Sequence, residues 1–264
     1  MESVETRLNY LAANETRPVS LMTRPGVPVQ KNAEYEKRTV QVNDARNFES
    51  TLDEHGFTLV PEPDGCADYF DHELVVKDYY PRMEALVQAH TGARRVVAFD
   101  HNVRSGDAKQ QQRAGVREPV RVVHNDYTTR SGPLRVRDLL PDEADSLLRG
   151  RFAVVNVWRP IVGPVQSQPL GVCDASSMAE QDFVVTDLEY GERTGEVYQI
   201  TWNPAHRWFY YSDMLAHEAL LLKCFDSSDD GYAKFTAHSA FTHPATQPDC
   251  APRQSIETRT LVFF

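Results

Sequence analysis

The residues best suited to chemistry lie in the run Val122-Val123-His124-Asn125-Asp126-Tyr127. In an extended strand, side chains two apart point to the same face, so the His124 imidazole and the Asp126 carboxylate can converge on one point. Such a pair is weak evidence by itself, because nine His and 38 Asp+Glu in 264 residues give about one by chance. A strand-end histidine beside a surface aspartate is the plain alternative. In this chain only His124 has a carboxylate two residues on. A third donor would have to come from far along the chain. His238, in Phe235-Thr236-Ala237-His238-Ser239-Ala240-Phe241, sits in a semi-apolar run, and His243 beside Pro244 is its rival. Two histidines and one carboxylate on one face of an iron leave three positions open, which suits a chelating cosubstrate and dioxygen. Pro252-Arg253-Gln254-Ser255 follows. Arg253 and Ser255 share a strand face, and a guanidinium with a hydroxyl beside it receives a carboxylate well. Standing alone, Arg253 would read as one half of a surface salt bridge.

Something must position these groups. From Gly92 onward the chain is a series of short runs rich in Val, Ile and aromatics, separated by Pro, Gly, Asn and Asp. The runs are 94–100, 120–127, 152–158, 183–187, 197–202, 207–211, 219–225 and 256–264. Eight or so strands without helices between them predict a mainly β sandwich or barrel. A helix is expected over 68–90, where Val75, Tyr79, Met83 and Leu86 recur at three- and four-residue steps, with a break possible at Pro81. A second, short helix is expected over 141–149. Residues 1–42, with Pro18, Pro25 and Pro28, read as an arm. Tyr10, Leu11, Leu21 and Met22 are its main apolar groups, and the composition suits a lid over a site. The folded domain is then expected over 43–264, with the 105–118 loop as the second place to look for a lid.

Composition narrows the function. A formal net charge of -10 repels phosphate backbones and anionic lipid, so no nucleic acid and no membrane is the expectation. No apolar run approaches the ~20 residues of a membrane helix. The start Met1-Glu2-Ser3-Val4-Glu5 has no signal-peptide character, so a cytoplasmic protein is expected. Cys66, Cys173, Cys224 and Cys250 are scattered without a CxxC pair, which suits reduced, mostly buried thiols.

The motifs are recognisable in order. They are Ala98-Phe99-Asp100-His101, Val123-His124-Asn125-Asp126-Tyr127-Thr128 and Val155-Asn156-Val157-Trp158-Arg159-Pro160. Pro169-Leu170-Gly171-Val172-Cys173-Asp174, Trp208-Phe209-Tyr210-Tyr211, Leu222-Lys223-Cys224-Phe225-Asp226 and Arg253-Gln254-Ser255-Ile256-Glu257 follow. From about Val96 to Phe264 the sequence resembles the family of gibberellin desaturases, fungal AsaB-type hydroxylase/desaturases and the bacterial cephamycin CmcJ component. The resemblance implies a double-stranded β-helix (jelly-roll, cupin-like) core with flanking helices. It implies Fe(II), 2-oxoglutarate as cosubstrate and O2, with His124, Asp126 and His238 as metal ligands and Arg253 and Ser255 on the cosubstrate. The implied reaction is oxidative decarboxylation of 2-oxoglutarate coupled to hydroxylation, desaturation or cyclisation of a small secondary metabolite.

Arg159, Trp158, Asn156, Tyr127 and Tyr210 are further candidates for the pocket. Asn156 and Trp158 share a strand face, whereas Arg159 faces the other way unless the strand bulges. Tyr127 reads equally as packing, and any one member of the 208–211 aromatic run reads as core. His101, His206 and His217 read as surface or capping residues. Two other readings stay open: a non-catalytic metal-binding β-barrel accessory protein, and a non-oxidative metalloenzyme such as an isomerase. Oligomeric state is also open, with a homodimer among the options.

Overall fold

The structure is a computed structural model that describes residues 1–13, 16–21, 30–62, 64–113, 115–191 and 194–264. Its strands are β1 (Ser3–Leu11), β2 (Val19–Leu21), β3 (Gln30–Lys31), β4 (Tyr35–Asp44), β5 (Phe57–Pro61), β6 (Arg95–Ser105), β7 (Val116–Arg117) and β8 (His124–Asn125). They continue as β9 (Phe152–Pro160), β10 (Leu170–Cys173), β11 (Phe183–Glu189), β12 (Thr194–Ile200), β13 (Trp208–Tyr210), β14 (Glu218–Asp226), β15 (His238–Ala240) and β16 (Gln254–Phe263). Among the described residues they form two sheets. One runs β1-β4-β13-β10-β15-β8-β12-β11-β2-β3 and the other β5-β14-β9-β16-β6-β7.

Alternation along the central strands of the smaller sheet explains the layers. On β9, Phe152, Val154 and Trp158 point between the two sheets, while Ala153, Val155 and Val157 point outward. All nine β9 residues are buried, so both faces are covered. The outer cover is helical. His72–Leu74 (α1), a π-turn over 75–79 and Tyr80–Thr91 (α2) pack Val75, Tyr79, Met83 and Val87 against it. Asp71 caps the start, its carboxylate accepting from the Glu73 and Leu74 amides, and Gly92 at φ +67° ends it. The wide π-turn just before Pro81 places the proline in the first turn of α2, where its missing N–H breaks no bond.

The expected helix over 68–90 therefore exists, shifted to 72–91. The expected short helix shrinks to Ala144–Leu147 (α4). A helix not foreseen, Ser131–Leu139 (α3), precedes it. Gly132 and Pro133 make that stretch look like a turn, yet the Thr128 hydroxyl accepts from the Arg130 and Ser131 amides and starts the helix.

The arm is where the structure differs most from expectation. The boundary at 42/43 falls inside β4, which pairs antiparallel with β1 and parallel with β13. Bridges from Asn9 to Val122 and from Leu11 to Thr201 join the other edge of β1 to the same sheet, so the sheet curls back on itself. Leu8, Tyr10 and Val42 are fully buried inside that curl with Val123, Ile200 and Trp208. Tyr10 accepts from the Trp208 indole at 2.7 Å and its hydroxyl meets His206 Nδ1 at 3.1 Å. His206 Nε2 lies 3.0 Å from Asp182, so this histidine is a buried structural group and not a surface one. Residues 3–11 and 35–44 are walls of the fold, not a cover over it. The sequence misled because β1 alternates apolar and polar, and that period-two pattern was masked by the prolines that follow it. Met22, Pro25 and Pro28 lie outside the described residues.

Candidate metal centre

β8 and β15 lie side by side in the larger sheet, with His124 opposite His238 in the ladder. Asp126 follows β8 directly. One ligand atom from each of His124, Asp126 and His238 lies within 4.8 Å of the others. The two imidazole centroids are 4.4 Å apart, and His124 Nε2 is 3.7 Å from Asp126 Oδ1.

Which atoms are free to bind follows from the hydrogen bonds. His124 Nδ1 is 2.7 Å from the Val122 carbonyl, and His238 Nδ1 is 3.0 Å from the Thr236 carbonyl. A carbonyl only accepts, so both Nδ1 atoms carry the proton and both Nε2 lone pairs face the cluster. Burial, and then the neighbouring His238, push the His124 pKa down to about 3, so its ring is neutral as a metal ligand must be.

Asp126 is held from behind. Its Oδ2 accepts from Asn156 Nδ2 at 2.8 Å and from Arg259 Nε and Nη2 at 3.2 and 3.1 Å. Oδ1 is thereby left for the cluster. Burial alone would raise this carboxyl. Arg259 and the two histidines outweigh it and hold Asp126 below the usual carboxylate range. Arg259 also bonds Asp100 at 2.9 Å, which fixes the guanidinium that fixes the carboxylate.

A small cavity opens beside the cluster, lined by Arg104, Val120, His124, Trp158, Leu170, His238, Arg253 and Glu257. Arg253 is 3 % exposed and lies with its guanidinium 5.4 Å from the Trp158 ring centroid. One Nη1 donates to the Gln168 carbonyl at 2.6 Å. Gln168 takes φ +48°, a left-handed conformation unusual for its type, at the point where its carbonyl meets Arg253. The buried Arg253 Nε and the buried Ser255 hydroxyl have no hydrogen-bond partner. Burial, with Arg104 nearby, pushes the Arg253 pKa down to about 9, which still leaves it charged at neutral pH.

A family model described as an oxidoreductase/YMDC permease-like domain matches residues 8–263. Over 99% of its length the chain is 33% identical to an alpha-ketoglutarate-dependent dioxygenase, phiK, of a fungal species, covering 96% of that protein. It is 32% identical to the hydroxylase/desaturase efuI of Hormonema carpetanum, over 99% of this chain and 95% of the other. The chain belongs to the iron(II)- and 2-oxoglutarate-dependent oxygenases. The solved structure of the iron and alpha-ketoglutarate-dependent endoperoxidase NvfI superposes with a TM-score of 0.89 at 29% identity, covering 99% of this chain and 98% of that one. The Aspergillus novofumigatus sequence of that name is 33% identical over 91% of this chain and 88% of its own length. The fold is accordingly the double-stranded β-helix, with its jelly-roll core between the two sheets.

The residues of this oxygenase fit the cofactors of the family. Two imidazoles and a carboxylate face one point, Arg253 lines the adjoining cavity, and Arg253 Nε and the nearby Ser255 Oγ are buried without a partner, as a dicarboxylate's far end would require. Not every candidate residue is there. Arg159 points to the helix layer, where it donates to the Asp64 and Ala216 carbonyls, pairs with Glu62 at 3.7 Å and lies over Tyr69 and Tyr79. It is a structural cation, as the strict alternation of β9 required. Tyr127 packs in the core between the sheets, and Tyr210 packs in the curl, its hydroxyl 3.1 Å from His243 Nε2. His243 Nδ1 accepts from the Ala245 amide, so both its ring nitrogens are engaged away from the cluster. Asn156 reaches the site through Asp126, and Trp158 lines the cavity itself.

Sequence reasoning missed Arg104, Glu257 and Arg259. A signal existed for two of them. Arg253, Ser255, Glu257 and Arg259 alternate along a terminal strand whose other residues are mostly apolar or Thr, and such a polar stripe on a buried strand marks a site.

Proposed function

We propose that His124, Asp126 and His238 hold the iron, and that Arg253 and Ser255 hold the distal carboxylate of 2-oxoglutarate. The observation that carries this reading is the convergence of three donor atoms within 4.8 Å beside a cavity lined by Arg253, whose Nε, like the buried Ser255 hydroxyl, has no partner. When bound, iron with 2-oxoglutarate and dioxygen supplies the oxidising power, and the cosubstrate leaves as succinate and CO2. The protein's own part is geometric and electrostatic. Arg259 and Asn156 keep Asp126 ionised and turned, the two backbone carbonyls fix the histidine tautomers, and Trp158 walls the cavity against water.

The substrate in this reading is a small secondary metabolite, which the chain hydroxylates, desaturates or cyclises. The names of its relatives, a dioxygenase, a hydroxylase/desaturase and an endoperoxidase, support that range. Four free cysteines suit a reducing compartment, the cytosol.

Arg253→Gln tests the cosubstrate assignment. Removing a buried charge-assisted contact to a carboxylate costs about 2–5 kcal/mol. At about 1.4 kcal/mol per decade, the affinity for 2-oxoglutarate should fall roughly thirty-fold or more. Equilibrium titration of the anaerobic iron(II) protein measures it, and an unchanged affinity would make Arg253 a structural residue.

A further inference from the structure

One cation in the cavity has no assigned task. Arg104 lies on β6 directly opposite Ser255 in the ladder, so the two side chains emerge side by side on the inward face. It lines the same cavity as His124, His238 and Arg253. Its one hydrogen bond among the described residues runs from Nη1 to the Glu118 carbonyl at 2.8 Å, and no carboxylate there lies within ion-pair distance of it. Glu257, the one carboxylate among the cavity's lining residues, is instead 3.5 Å from Arg259. Two guanidiniums, Arg104 and Arg253, thus face one small space whose single lining carboxylate, Glu257, lies toward Arg259. Burial lowers both, positive neighbours add to that, and Glu257 opposes it without cancelling it. Like charges placed so are costly unless an anion sits between them.

The receiving capacity of a carboxylate makes the case stronger. Its two oxygens offer about four lone-pair sites. Arg253 Nε and Ser255 Oγ would use two of them, leaving two for the neighbour across the ladder from Ser255. The cavity holds about 20 Å3, room for about one water, so a five-carbon diacid enters only if a lining side chain gives way. Arg104 is partly buried and tied by one bond to a loop carbonyl, whereas Arg253 is fully enclosed. Of the two lining cations, Arg104 is the less enclosed.

Resting on the cosubstrate reading above, we propose that Arg104 is a second binding residue for the distal carboxylate of 2-oxoglutarate. The carboxylate is then gripped between two guanidiniums, with the Ser255 hydroxyl between them. Arg104 would so set the preference of the site for a dicarboxylic over a monocarboxylic 2-oxo acid.

The experiment compares 2-oxoglutarate with 2-oxopentanoate, which keeps the metal-chelating end and carries a methyl group in place of the distal carboxylate. Each is titrated into the anaerobic iron(II) protein and followed by its visible charge-transfer band. Arg104→Met should weaken 2-oxoglutarate by about tenfold or more and leave 2-oxopentanoate within about twofold, with Arg104→Lys in between. Unchanged 2-oxoglutarate affinity in Arg104→Met, or equal loss for both acids, overturns the proposal. Arg104→Lys carries the comparison if the methionine variant fails to fold. Absence of any band in the unaltered protein would remove the cosubstrate reading itself, an outcome distinct from a failure of Arg104 alone.

Discussion

Anaerobic iron(II) protein is expected to develop a weak visible charge-transfer band when 2-oxoglutarate is added, and His124→Ala, Asp126→Ala and His238→Ala should each abolish it. The expectation is all-or-none because three donors are the minimum that fixes the metal with room for a chelating cosubstrate. Removing one leaves two, and no fourth His, Cys or carboxylate ligand atom among the described residues joins the group within the same reach. His243→Ala should keep the band, since that ring is engaged by Tyr210 and the Ala245 amide. Loss of the band in His243→Ala with retention in His238→Ala would reverse the assignment of the third ligand.

Deleting residues 1–42 should give insoluble protein. The deletion removes β1 and most of β4, taking Leu8, Tyr10, Leu11 and Val42 out of the curled sheet, all of them at most 1% exposed. Each fully buried side chain contributes about 1.5–3 kcal/mol, so the four together are worth about 6–12 kcal/mol. A whole domain has about 5–15 kcal/mol of stability, so little or none remains. The cut would also bare Trp208 and an unpaired edge of β13, a template for aggregation. Tyr10→Ala is the gentler test. Losing the ring and its bonds to Trp208 and His206 should cost about 3–5 kcal/mol in thermal or denaturant unfolding, with His124, Asp126 and His238 left in place. A soluble truncated protein that still binds iron would show that the strands before Asn43 are dispensable after all.

The candidate cluster was easier to assemble from the sequence than the strand pairings around it. His124 and Asp126 could be paired from the sequence because a two-residue spacing on a strand is a local rule. Arg253 and Ser255 followed the same rule. Alternation also separated Asn156 and Trp158 from Arg159, which the structure puts on opposite faces of β9. What stayed hidden depended on partners distant in sequence. β1 and β4 pair with each other across more than 20 residues and reach β13 and Val122 much farther along, and no local pattern encodes such pairings. Arg104 was invisible because its importance comes only from lying across the ladder from Ser255. Tyr210 and His206 look exposed or catalytic in isolation, and burial inside the curl decides otherwise.

The most direct test of the account is succinate formation by the purified protein with iron(II), 2-oxoglutarate and dioxygen, measured with and without each component. Succinate and CO2 are expected in equal amounts, dependent on iron and on oxygen, and lost in His124→Ala, Asp126→Ala and His238→Ala. An accessory metal-binding barrel would release none, and a non-oxidative metalloenzyme would convert substrate without it. Either result, from folded protein that binds iron at these three residues, would contradict the assignment of this centre as the oxygenase site.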